Sequence, residues 1–142
     1  MGTPAVRARR VSPAALAVAM ARVLALTRDL LFGSRVQATL VSAGYEVELV
    51  GDEAGLREML EDAQTPAPAV LVADLTDIEL DGAALVQSLA ADGQLGATRT
   101  LAFYSHVDAA ARERAEQAGF DLVVPRSRMA REGAELVARL LS

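Results

Sequence analysis

Between residues 23 and 141 the chain alternates five short apolar runs with five stretches of helical periodicity, and this alternation leaves few architectures open. Val23-Leu24-Ala25-Leu26 reads as a buried strand. Asp29 then caps a helix carrying Leu30, Leu31, Val36, Leu40 and Val41 on one side, and Gly44 ends it in a left-handed cap. Residues 46–50 alternate polar and apolar, as an edge strand does, and Gly51-Asp52 opens a helix with Leu56, Met59 and Leu60. A Thr65-Pro66-Ala67-Pro68 loop follows. Residues 70–73 are continuous and apolar, as a strand covered on both faces must be. A helix over 82–91, a strand over 100–104, a helix between Asp108 and Gly119, a strand over 122–124 and a helix over 129–141 complete the series. The last helix turns Leu136, Val137, Leu140 and Leu141 inward.

Strand–helix alternation at this spacing requires right-handed crossovers and a parallel sheet. Two doubly wound topologies remain, the nucleotide-binding one and the flavodoxin-like one with strand order 2-1-3-4-5. Five βα units in about 120 residues favour the second. The expected organisation is a basic leader with a short extra helix (residues 1–22), followed by one α/β domain (residues 23–142).

Composition narrows the chemistry. The 142 residues include no Cys, no Lys and one His. Disulfides, Cys-based zinc sites, thiol nucleophiles, lysine Schiff bases, the P-loop lysine and multi-histidine metal centres are thereby excluded. Carboxylates, hydroxyls, backbone amides and arginines remain.

Charge is divided along the chain. Residues 1–22 carry four arginines and no acid, while residues 23–142 carry ten arginines against nineteen acids, a balance of +4 and -9. An acidic body with five scattered aromatics is not expected to bind nucleic acid. Ser12-Pro13 suits a helix start better than the short, Arg22-interrupted apolar run suits a secretion signal. Met20 is an alternative start. No run approaches the roughly 20 apolar residues of a membrane span, so a cytoplasmic location without membrane contact is expected.

In an open parallel sheet, sites form beyond the carboxyl ends of the strands. Those ends carry Asp29, Asp74, Ser105 and Arg126. Asp74 follows an apolar run deep in the sheet, where a carboxylate can serve as nucleophile or Mg2+ ligand. Its simpler role is to cap the turn over residues 75–81. Ser105-His106 beside Asp74 does not read as a hydrolase triad, since adjacent residues point apart and no Gly-x-Ser-x-Gly elbow is present. Gly33-Ser34 is too sparse for a flavin or nucleotide loop.

Three segments together resemble bacterial response-regulator receiver domains of the CheY-like type. Val70-Leu71-Val72-Ala73-Asp74, with Asp81-Gly82 following, is similar to their phosphoacceptor strand and loop. Leu101-Ala102-Phe103-Tyr104-Ser105 resembles the strand ending in their switch hydroxyl. Ala118-Gly119-Phe120-Asp121 with Val123-Val124-Pro125-Arg126-Ser127 resembles the segment ending in Lys-Pro. The spacing of 31 residues from Asp74 to Ser105 and 21 more to Arg126 makes the combination specific.

The resemblance implies that Asp74 accepts a phosphoryl group from a phosphohistidine. Mg2+ would then be held by Asp29, Asp74 and the backbone carbonyl of Thr76, with Ser105 and Arg126 meeting the phosphoryl group. It implies a signalling module rather than an enzyme, with a histidine kinase or an output protein as partner. Self-association into a homodimer would use the N-terminal helix or the face of helix 4, strand 5 and helix 5. No output domain follows the receiver-like body, so direct DNA binding is not expected.

The chain also departs from that pattern. Thr27-Arg28-Asp29 stands where adjacent acids are usual, so Arg28 is expected to repel Mg2+ or pair with Asp74. Arg126 replaces a lysine and lacks a following proline, and Val123 stands where an aromatic is common. Three functions follow as expectations. The first is a degenerate, stand-alone receiver-like module (a pseudo-receiver) that acts through protein contacts, with aspartyl phosphorylation impaired or absent. The second is a phosphoacceptor using Asp74 with Mg2+. The third is an enzyme or small-molecule binder on the same fold.

Overall fold

The computed structural model describes residues 21–142. The leader, with the helix expected at its end, lies outside the described residues apart from Ala21 and Arg22. Arg22 opens strand β1 (Arg22–Leu26), one residue ahead of the expected start. Its guanidinium donates to the Pro66 carbonyl at 2.8 Å and to Glu48 at 2.7 Å, tying it to the folded body.

The remaining strands are β2 (Glu46–Val50), β3 (Val70–Asp74), β4 (Arg99–Tyr104) and β5 (Leu122–Pro125). All pair in parallel in the order β2-β1-β3-β4-β5, the expected flavodoxin-like arrangement. β3 is buried along its whole length because it lies at the centre, under helices on both faces. β2 lies at an edge, and its alternating pattern exposes Glu46 and Glu48 while half-burying Val47 and Leu49.

The five helices are α1 (Leu30–Ser42), α2 (Glu53–Glu61), α3 (Gly82–Ala91), α4 (Ala109–Ala118) and α5 (Arg126–Leu141). Side chains alternate across the sheet, so each strand feeds two cores. Val23, Ala25, Val70, Val72, Leu101, Phe103 and Val124 face α1 and α5. Leu24, Leu26, Leu71, Ala73, Ala102 and Tyr104 face α2, α3 and α4.

Local sequence sets the helix starts. Asp29, Asp52, Asp81 and Asp108 each accept a hydrogen bond from the amide three residues on, satisfying an orphan donor of the first turn. Gly44 (φ 101°) and Gly119 (φ 91°) supply the left-handed residues that end α1 and α4.

Two expectations about the helices are corrected. On α1 the buried residues are Phe32, Gly33, Val36 and Leu40, whereas Leu30 (75% exposed), Leu31 (78%) and Val41 (52%) face outward. The 32/36/40 spacing is one helical stripe, and Leu30 and Leu31 fall outside it. The last helix begins at Arg126 rather than Met129 and kinks at Glu132 (φ -125°), next to Gly133. A Cβ at Gly133 would lie 3.3 Å from the Met129 methyl, so this position packs closely against the preceding turn.

Candidate functional site

The carboxyl edge of the sheet gathers the polar ends of β1, β3, β4 and β5. Asp74 is the last residue of β3, level with Phe103 of β4, and only 1% exposed. A carboxylate this deep needs hydrogen bonds in place of water. Oδ2 accepts from the Thr27 hydroxyl at 2.6 Å. Oδ1 accepts from the Thr76 amide at 2.8 Å and the Thr76 hydroxyl at 2.5 Å. Asp74 therefore holds the start of the following turn. Thr27, itself 5% exposed, also accepts from the Asp29 amide at 3.1 Å.

Asp29 turns away from this cluster. Its Oδ1 accepts from the Phe32 amide at 3.0 Å as the cap of α1, and its Oδ2 accepts from Arg126 Nη2 at 2.9 Å. The Arg126 guanidinium lies 4.3 Å above the Phe32 ring centroid, and Phe32 in turn meets Phe103 at 5.0 Å. Thus Arg126 spans from the start of α5 to the start of α1 and is engaged on two sides.

Arg28 does not reach Asp74. It donates from Nε and Nη2 to the two carboxylate oxygens of Asp77, at 2.6 and 2.8 Å, and Nη2 lies 3.8 Å from Glu79. The hydrogen bond from Arg28 holds the Asp77 carboxyl below its ordinary pKa, against the opposing effect of desolvation. The same contact raises the Arg28 pKa. Asp77 Oδ1 also accepts from the amides of Glu79 and Leu80, so the pair pins the β3–α3 turn.

Two clefts adjoin along the edge. Arg28, Asp29, Asp74, Thr76, Asp77, Ile78 and Glu79 line one, which is rich in acids. The other is bordered by Phe32, Arg35, Thr76, Ser105, His106 and Arg126, and Thr76 belongs to both. Ser105 is half-buried, and its carbonyl accepts from the Asp108 amide at 2.8 Å at the start of α4. The expected quartet thus converges in two parts, with Asp29 and Asp74 in one cleft and Ser105 and Arg126 in the next.

A divalent ion such as Mg2+ needs several oxygen ligands, some from carboxylates. Both oxygens of Asp29 and both of Asp74 already accept hydrogen bonds within the chain. Among the described residues no three His, Cys, Asp or Glu side chains are grouped to hold a metal ion. The three residues of the expected ligand set, Asp29, Asp74 and Thr76, line one cleft, with both carboxylates engaged inside the chain. Asp29 is committed to helix α1, and Thr76 presents its amide and hydroxyl to Asp74.

Sequence reasoning missed Thr27, Asp77 and Phe32. A hydroxyl residue ending the apolar run of β1, the neighbour of β3, was the available signal for Thr27. The partnership of Arg28 with Asp77 spans 49 positions and left no local signal.

Neither a family model nor a curated protein sequence matches this chain. Solved structures do. The chemotaxis response regulator CheY4 of Vibrio cholerae is similar at 21% identity and a TM-score of 0.71, over 85% of this chain and 98% of that one. The receiver domain of the TMAO respiratory system response regulator TorR is similar at 20% identity and a TM-score of 0.73, over 85% and 96%. The Mn2+-bound form of response regulator Rcp1 gives 14% identity and a TM-score of 0.67, over 84% and 91%. The chain has the fold of response-regulator receiver domains. No helix among the described residues is long and apolar enough to cross a membrane.

Proposed function

We propose that this chain is a receiver-like signalling module, not an enzyme, that acts through protein contacts and does not take up a phosphoryl group on Asp74. The carrying observation is that both Asp74 oxygens are held by Thr27 and Thr76 in a pocket that leaves the residue 1% exposed. An attacking carboxylate must be open to the phosphoryl donor and have cations nearby to offset the charge of the incoming group. Two arginines of the adjoining clefts are engaged elsewhere, Arg28 with Asp77 and Arg126 with Asp29.

Exposed apolar residues support action by contact. Leu30, Leu31, Ile78 (87% exposed) and Val107 (79%) stand on the loops and helix start that surround the two clefts. Such a rim suits a protein partner such as a histidine kinase or an output protein, or a second copy of the chain. The acidic body argues against nucleic acid, and a cytoplasmic location suits the role.

Incubation with acetyl phosphate and Mg2+, followed by intact mass measurement, tests the reading. Unchanged mass is expected. A phosphoryl adduct that disappears in Asp74→Asn would overturn it and establish the phosphoacceptor function instead, with Ser105 and Arg126 as the groups facing the phosphoryl oxygens.

A further inference from the structure

We propose that Arg28 is the built-in cation of the acidic cleft. Its guanidinium takes the role of a divalent ion there and holds the β3–α3 turn in one conformation without metal. The inference rests on the receiver-like reading only in treating this cleft as the regulatory site.

Three observations carry it. First, the exit of β1 decides which positions face the cleft. The Thr27 side chain meets Asp74, and Arg28 crosses to Asp77, whereas Asp29 turns back to cap α1. Positions 27 and 28, rather than 29, are those from which a side chain addresses Asp74 and the turn after it. Second, Arg28 binds both oxygens of Asp77, at 2.6 and 2.8 Å, and the same carboxylate accepts the Glu79 and Leu80 amides. Guanidinium, carboxylate and turn backbone therefore form one hydrogen-bonded unit. Third, the cleft lining holds four acids (Asp29, Asp74, Asp77 and Glu79) and a single base, Arg28. A fixed cation at that point offsets acid repulsion as a bound ion does.

The cleft is consequently a cation site already filled by its own chain. The β3–α3 turn is indifferent to divalent ions, and exchanging Thr27 and Arg28 for carboxylates turns the cleft into a metal site.

Titration with Mn2+ alone, read by water proton relaxation, tests this. The wild-type chain is expected to show no saturable binding. Thr27→Asp combined with Arg28→Asp is expected to gain saturable binding at least about tenfold tighter, and Asp74→Asn in that background to remove it. Saturable Mn2+ binding by the wild type that is lost in Asp74→Asn would overturn the proposal. So would a double variant, folded by circular dichroism, that binds no better than wild type. Arg28→Gln provides an independent arm that needs no new site. Hydrogen exchange at the Glu79 and Leu80 amides should then accelerate by at least about threefold, and unchanged exchange would refute the pinning role. No phosphoryl donor enters these measurements, so their outcome is separate from the acetyl phosphate result.

Discussion

The hydroxyl of Thr27 donates a 2.6 Å hydrogen bond to Oδ2 of Asp74, joining the ends of two neighbouring parallel strands across 47 positions. It satisfies a buried carboxylate oxygen with a neutral donor, at the place where a phosphoacceptor would need a cation. The proposed loss of phosphoryl chemistry begins at this contact.

Thr27→Val keeps the shape of the side chain and deletes the donor. It leaves Asp74 Oδ2 buried without its partner, so a loss of about 1–3 kcal/mol in unfolding free energy is expected. Urea denaturation monitored by circular dichroism measures it. An unchanged midpoint would mean that water reaches Asp74 in solution.

The orientation of α1 separates two adjacent residues. Phe32 is 5% exposed, packed at a tilt against Phe103 and covered by Arg126, whereas Leu31 is 78% exposed. Phe32→Ala is expected to cost about 3–5 kcal/mol, and Leu31→Ala no more than about 0.5 kcal/mol. Denaturant midpoints of the two variants decide it. Comparable losses would return Leu31 to the core, as helical periodicity alone first suggested.

Asp81 caps α3 while holding a left-handed backbone conformation (φ 44°), the one positive φ among described non-glycine residues. Asp81→Ala loses the cap and keeps the backbone strain, for an expected cost of about 1–3 kcal/mol. Asp81→Gly relieves the strain and is expected to cost less than Asp81→Ala, because glycine caps nearly as well as it turns. The ranking of the two thermal midpoints is the readout.

The Arg28–Asp77 pair has a defined pH signature. The folded-state pKa of Asp77 is lowered, so its stabilisation is complete above the ordinary value of 3.8 and is lost as pH falls through the lowered one. The pKa of Arg28 is raised, so its share is fully present below the ordinary guanidinium value and is lost only as pH rises through the raised one. Protection of the Glu79 and Leu80 amides should therefore stay level from neutral pH down to about the ordinary carboxylate range and fall only below it. A decline already under way near pH 6 would point to a different titrating group.

Much of the architecture was legible because its causes are local. Aspartates at 29, 52, 81 and 108 cap the helices they precede, and glycines at 44 and 119 end two of them. Unbroken apolar character marked β3 as the central strand, and alternation marked β2 as an edge. Asp74, Ser105 and Arg126 were legible as occupants of the carboxyl edge, since every parallel strand delivers its end there. The inward face of α1 was misjudged because Leu30, Leu31 and Phe32 are adjacent and all apolar. Only packing against Phe103 and Leu40's neighbours on the sheet selects the 32/36/40 stripe.

The charges of the site were present in the sequence, but their pairing was not. Composition established that any permanently charged side-chain cation here had to be arginine, because the chain contains no lysine. Periodicity established five βα units and, with them, which residues arrive at one edge. Tertiary structure alone decided that Arg28 binds Asp77, that Arg126 binds Asp29, and that Asp74 is held by two threonines. The physical reason is range. Caps and strands depend on neighbours a few residues away, whereas each of the two ion pairs joins residues 49 or 97 positions apart, which only the closing of the sheet brings together.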